Sequence, residues 1–228
     1  MKRLTFLFFL LAITYGSFAQ SNFYRFSVGG GVGAVVAFAD LDDQKLTIAG
    51  YGNVDYHFTP FITLGIEAQK GQVAAGGYYS DTYGREFVNS YLATSLNFKV
   101  QLGEFLSRYD LSNTFLNTIK GGYLGVGFGL IKNDVAARRS FGGLDFPGKD
   151  KSTESIIPFN AGINFYIPNE WGYKRFAINL NLRYTLTTGE GLDGYGIKGI
   201  TSQHNDVYMF GSAGIKYLFG TLGLDRRR

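Results

Sequence analysis

The sequence predicts an all-β fold: an eight-stranded antiparallel up-and-down transmembrane β-barrel, preceded by a cleavable signal peptide. Three observations predict it. The N-terminus has the layout of a secretory signal, the remainder alternates apolar and polar residues in about eight segments, and the charges within those segments share one face.

Residues 1–19 form the expected signal. Lys2 and Arg3 supply the positive region, Leu4 to Ile13 the apolar run, and Ser17-Phe18-Ala19 the small residues before Gln20. The run is too short for a membrane-spanning helix, which needs about 20 residues. No cysteine follows it, which excludes a cysteine-linked lipid anchor. The barrel domain is then 20–228, and its formal charge falls from +4 to +2 as Lys2 and Arg3 leave. No clustered basic stripe remains, so nucleic acid is not an expected partner. With no cysteine in the chain, stability must come from packing and backbone pairing. The 32 glycines, 4 prolines and 17% aromatics argue against disorder and suit strands that approach one another closely.

Taken in order, the strands are expected at Tyr24–Phe38, Leu46–Phe58, Ile62–Gln72, Val88–Val100, Tyr123–Ile131, Ile157–Ile167, Arg175–Thr187 and Val207–Phe219. The clearest is the seventh, where Phe176, Ile178, Leu180, Leu182, Tyr184 and Leu186 share a face opposite Ala177, Asn179, Asn181, Arg183 and Thr185. In the sixth, Ile157, Phe159, Ala161, Ile163, Phe165 and Ile167 face away from Asn160, Gly162 and Asn164, with Pro158 near the expected start. The fifth alternates Gly125, Gly127 and Gly129 with Leu124, Val126, Phe128 and Leu130. Long polar connections are expected near 39–44, 73–86, 132–154 and 188–205, with short turns at 59–60 and 168–173 on the other side. Long outer loops and short inner turns are the asymmetry of outer-membrane barrels. The segment 102–118 is the exception, and its spaced apolar residues suggest a short amphipathic helix.

Arg25, Asp55, His57, Glu67, Lys99, Arg183 and Lys216 all fall on the polar face, and the opposite face is nearly free of charge. An Arg or Lys on a lipid face costs about 2–4 kcal/mol at mid-depth. This distribution therefore places the charged face in a narrow lumen and the apolar face in lipid. A soluble periplasmic lipocalin-like binding barrel, with the charges outward, is the alternative.

The last strand carries a recognisable pattern. Ser212, Gly214, Tyr217 and Phe219, within Ser212-Ala213-Gly214-Ile215-Lys216-Tyr217-Leu218-Phe219, resemble the C-terminal assembly signal of outer-membrane barrels. Nine residues follow Phe219, whereas many such proteins stop at the aromatic. Across nearly the whole barrel domain, the chain resembles the OmpA/OmpX-like small outer-membrane β-barrels, and more narrowly the "outer membrane protein beta-barrel domain" type of Bacteroidota. The resemblance implies location in the bacterial outer membrane. It also implies contact with outer-membrane lipid and lipopolysaccharide, and handling by the barrel-assembly machinery. It implies little chemistry.

Candidate chemistry is sparse. Gly29-Gly30-Gly31-Val32-Gly33 lacks the following helix and Lys-Ser/Thr of a phosphate loop. Two distant histidines without cysteine make a poor metal set, and no cofactor is implied. The lumen charges are expected to form a structural plug of ion pairs, since an uncompensated buried charge costs several kcal/mol. A narrow channel for small solutes or ions along the same residues is the alternative. A lipid A-modifying enzyme would need Ser202, His204 and Asp206 to converge near the outer leaflet. Tyr79, Tyr83, Arg85, Arg138 and Arg139 are candidate surface-ligand contacts in the outer loops. The expected role is therefore non-enzymatic: a structural or surface-interaction barrel with a largely closed lumen.

Overall fold

The computed structural model describes residues 21–38, 44–77, 79, 86–106, 113–138, 140–141, 144–145, 150–168, 174–189, 191–192 and 206–225. The expected signal segment lies outside them. Eight long strands dominate: β1 (Ser21–Phe38), β2 (Thr47–His57), β3 (Ile62–Gly76), β4 (Glu86–Gln101), β5 (Gly122–Arg138), β6 (Lys151–Pro168), β7 (Lys174–Thr187) and β8 (Val207–Asp225). Each pairs antiparallel with its neighbours in sequence, and β1 pairs with β8, from Ser21↔Asp225 to Phe38↔Val207. The sheet therefore closes as an up-and-down barrel. A short strand, Gln44–Lys45, continues the pairing along the end of β3.

Away from two ladder irregularities, side chains divide by parity. On the outside, Val32, Ile48, Val54, Ile66, Leu96, Leu124, Phe128, Phe159, Leu182 and Ile215 are exposed. On the inside, Asp55, Glu67, Lys99, Arg183 and Lys216 are buried. No soluble protein would present so large an apolar surface to water. An apolar exterior around a polar interior is the arrangement of a transmembrane β-barrel.

At the end carrying the short turns, aromatic rings ring the wall. Phe58, Tyr56, Phe26, Phe219, Tyr217 and Phe176 form successive contacts with centroids 5.0–6.1 Å apart, across β2, β1, β8 and β7. Amphipathic rings settle at a membrane–water interface, so this girdle marks the inner edge of the bilayer. Just below, the Thr59 hydroxyl accepts from the Phe61 and Ile62 amides at 3.1 and 2.9 Å and donates to Glu104 at 2.8 Å. The turn drives Phe61 into the barrel base, where its ring occupies the space over Gly103.

Towards the opposite end the polarity reverses on β3 to β6. Outward positions become Lys70, Gln72, Ser90, Lys132, Asp134 and Lys151, while inward positions become Val73, Phe87, Ile131, Val135 and Ile156. This is the pattern of a soluble barrel, and it shows that these four strands continue past the hydrocarbon into water. It also explains why they are longer than expected. The sequence signal for a membrane strand stops where the outward residues become charged, and the backbone ladder does not.

Three further expectations are refined by the structure. Pro158 lies in the interior of β6, not at its start. It lacks an N–H to donate, and the β5–β6 register is interrupted between Val126↔Phe159 and Gly129↔Ile156, where Gly127 gives its ring room. Within 102–118, where a short helix is expected, the described residues hold a short helix, α1 (Thr114–Ile119), and a 3-10 turn at Leu102–Glu104. Asn113 caps α1 by accepting from the Phe115 and Leu116 amides at 2.9 and 3.4 Å. Finally, β8 does not stop at Phe219: Gly220, at φ 90°, sits at a bulge opposite Tyr24–Phe26, after which pairing resumes to Asp225.

That bulge needs a residue that tolerates positive φ, and a Cβ on Gly220 would crowd the Phe26 ring. Gly220→Ala is expected to lower barrel stability by about 1–2 kcal/mol, measured by urea unfolding of protein refolded into lipid vesicles.

Candidate functional site

The interior is the only region where the described residues concentrate buried polar chemistry. Five of the seven predicted lumen residues meet there as ions. Asp55 on β2 accepts from Lys216 on β8 at 2.7 Å, and from Asn53 and Ser27 at 2.7 and 3.4 Å. Higher up, Glu67 on β3 faces Arg183 on β7 across the barrel, 2.5 Å from Nη2, with Lys99 on β4 at 3.9 Å. The Arg183 contact is ionic, because Nη2 is not aligned to hydrogen-bond that oxygen. Its other nitrogens do donate, Nε to Asn160 at 3.0 Å and Nη1 to Gln69 at 3.4 Å. Arg183 is 1% exposed and Glu67 5%, so the pair spans the lumen out of contact with solvent.

Amides and phenols fill the space between these ions. Tyr51 and Tyr123 both engage Asn179, at 3.2 and 3.0 Å, and Tyr123 also donates to Asn181 at 2.9 Å. Asn179 donates to Asn164 at 2.9 Å, Asn181 to Asn160 at 3.3 Å, and Asn160 to Asn97 at 3.1 Å. The sequence places Asn160, Asn164, Asn179 and Asn181 on the polar face, but not in the network they form with one another. A narrow interior with so many buried dipoles is stable only because the groups satisfy one another.

Glycine makes the arrangement possible. Asp55 occupies the space a Cβ on Gly65 would take, Lys99 that on Gly125, Lys216 that on Gly29, Tyr51 that on Gly214 and Tyr123 that on Gly162. Asp55, Lys99, Lys216 and Tyr123 thus each lean over a glycine on the neighbouring strand, and Tyr51 on β2 reaches past β1 to Gly214 on β8. Gly29-Gly30-Gly31-Val32-Gly33 belongs to this wall in β1 and forms no phosphate loop.

Two predicted lumen residues behave differently. His57 is buried but forms no ion pair: its ring nitrogens meet the Ser27 and Thr63 hydroxyls at 3.1 and 3.3 Å. Beside it, Ser27, Thr63, Lys99, Tyr166 and Lys216 line a recess with room for about one water molecule. Arg25 is not in the lumen at all. It is exposed and donates to the Tyr56 hydroxyl at 3.1 Å on the girdle, because the ladder irregularity beside it breaks the alternation that assigned it inward. Arg175 stands at a second irregularity and donates to Tyr24 and Tyr217 at 3.0 and 3.4 Å.

The outer end of the lumen carries no ion pair among the described residues. Val35, Val73, Phe87, Tyr91, Ile131, Ile156, Tyr208 and Phe210 close it as an apolar core. Leu192, from the connection between β7 and β8, is fully buried in that core. Its backbone is held from both sides: its amide donates to Asp206 at 3.1 Å and its carbonyl accepts from Asn89 at 2.8 Å. No sequence signal pointed to Leu192, which is one apolar residue in a Gly-rich loop.

The remaining predicted residues are scattered. Tyr79 is exposed, while Tyr83, Arg85, Arg139, Ser202 and His204 lie outside the described residues. Arg138 ends β5 opposite Glu86, with its side chain outside the description. Asp206 is engaged with the Leu192 amide. In the final strand, Tyr217 and Phe219 belong to the aromatic girdle at the short-turn end, Gly214 makes room for Tyr51, and Ser212 faces inward.

A closed ring of eight strands, lipid-facing outside and ion-paired within, defines an integral outer-membrane β-barrel. No family model and no curated protein matches the chain. Among solved structures it is similar to Neisserial surface protein A, at 12% identity and a TM-score of 0.47, over 89% of this chain and all of that one. It is also similar to Ail, the attachment invasion locus protein of Yersinia pestis, at 16% identity and a TM-score of 0.40, covering 86% and 99% of the two chains. A third is the N-terminal β-barrel domain of OprF from Pseudomonas aeruginosa, at 12% identity and a TM-score of 0.39, covering 87% and 100%.

The Glu67–Arg183 pair generates a quantitative expectation. Arg183→Met or Glu67→Gln alone strands a buried charge and should destabilise the barrel by about 3–5 kcal/mol. The double substitution should recover much of that loss, as read from urea unfolding midpoints in lipid vesicles.

Proposed function

We propose that the protein is a non-conducting, non-enzymatic barrel of the outer membrane, whose role is structural or exercised at the cell surface. The observation that carries this reading is the filled lumen. Ion pairs and hydrogen-bonded amides occupy its inner part, and an apolar core that includes Leu192 fills the outer part. Buried side chains occupy the described part of the lumen from end to end, which argues against the narrow channel.

The enzyme reading is weakened from a different direction. Asp206, the acid it would require, already accepts from the Leu192 amide and holds the stopper in place. The barrel-assembly machinery remains the expected partner in biogenesis, on the strength of the final-strand pattern around Tyr217 and Phe219. The narrower Bacteroidota-type affiliation rests on Gln20 and the Gly-rich, Tyr-containing strands.

Two measurements check this. The unheated protein extracted from outer membranes is expected to migrate differently from the boiled protein, as a closed barrel does. In planar bilayers the intact protein is expected to give no conductance steps. Replacing Leu192 with Gly, together with Asn89→Ala, removes the stopper and one of its anchors, and should produce brief openings. Steady conductance from the unaltered protein would overturn the proposal in favour of the channel.

A further inference from the structure

On β3 and β5 the outward face holds two basic residues without a carboxylate partner among the described residues. Lys70 on β3 and Lys132 on β5 each pair in register with Leu92 on β4, so they flank it at one level of the wall. At the usual strand spacing their backbones are about 10 Å apart, close enough for both flexible side chains to converge on one group. Both are exposed, and among the described residues no carboxylate pairs with either. One step further out, Lys151 and Asp134 neutralise each other at 3.5 Å. The level of Lys70 and Lys132 therefore carries an uncompensated double positive charge.

Their height is specific. Lys70 and Lys132 stand eight residues along their strands from Ile62 and Leu124. At about 3.4 Å per residue and a tilt near 40°, that is about 20 Å above the inner edge of an apolar band about 25 Å tall. Between that edge and this level, no described outward residue of β3 to β6 is charged. Directly below lie Ala68, Thr94 and Leu130, and beside Lys70 the outward Gly50 and Gly52 leave a shallow trough in the wall.

We propose that Lys70 and Lys132 form a binding site for the phosphorylated headgroup of an outer-leaflet glycolipid, namely the lipid A portion of lipopolysaccharide. The phosphate bridges the two ammonium groups, and the acyl chains run down the apolar wall and the glycine trough beneath. A phosphate contact to two ammoniums is charge-assisted and suits lysine as a point charge. The assignment rests on the reading of the protein as an outer-membrane barrel, and it commits to different residues from the outer-loop arginines and tyrosines.

The test uses the full-length protein folded in detergent, unaltered and as the double variant Lys70→Gln/Lys132→Gln. Both residues are exposed, so the fold should survive, and heat-modifiable migration of both forms verifies it. Binding is titrated with phosphorylated lipid A, with the same lipid chemically dephosphorylated, and with phosphatidylglycerol. The unaltered protein is expected to bind phosphorylated lipid A about tenfold or more tightly than the double variant does. The dephosphorylated lipid should bind both forms equally weakly. Equal affinity of the two proteins for phosphorylated lipid A would overturn the site. Phosphatidylglycerol competing as well as lipid A would overturn the glycolipid assignment. Loss of heat-modifiable migration in both forms would instead defeat the underlying barrel reading.

Discussion

Closure of β1 against β8 is the contact on which the rest of the molecule depends. In hydrocarbon no water is available to an unpaired strand edge, and each orphaned backbone group costs several kcal/mol. The register Phe38↔Val207 through Ser21↔Asp225 removes both edges at once. It also sets the radius. Eight strands leave an interior only as wide as the side chains that fill it, so most inward polar residues find their partners among the others.

That confinement accounts for the pairing of charge with glycine. Asp55, Lys99, Lys216 and Tyr123 each need more space than the wall provides and obtain it over a glycine one strand away, and Tyr51 obtains it over Gly214, two strands away. Two glycines serve backbone geometry as well: Gly220 carries the positive φ of the bulge, and Gly127 accommodates the Pro158 ring where the ladder is interrupted. The lumen is thus packed like a protein core but built of polar parts, with ion pairs and amides supplying the mutual satisfaction that apolar contacts supply elsewhere.

The wall changes its solvent partway along. On β3 to β6, from the short-turn end up to Lys70 and Lys132, lipid is outside and polarity is inside. Beyond Lys70 and Lys132, water is outside and the apolar core of Val73, Phe87, Ile131 and Leu192 is inside. One continuous set of strands therefore carries two opposite polarity codes. The boundary between them is where headgroup chemistry meets the protein, and where the lumen turns from ion-paired to stoppered.

By itself the sequence determined the fold class, the number of long strands, their order and which residues face lipid. All of these follow from a period of two and from the cost of charge in hydrocarbon, which act locally along each strand. The inward placement of Asp55, Glu67, Lys99, Arg183 and Lys216 was legible for the same reason. Only the tertiary structure decided who meets whom, because Glu67 and Arg183 are far apart in sequence and come together through closure. It alone turned Arg25 outward, since a ladder irregularity resets alternation without leaving a sequence mark. It alone extended β3 to β6 beyond the membrane, where the hydrophobic signal ends but hydrogen bonding continues. And it alone placed Leu192 in the mouth of the barrel, because one apolar side chain in a loop has no period to betray where it folds back.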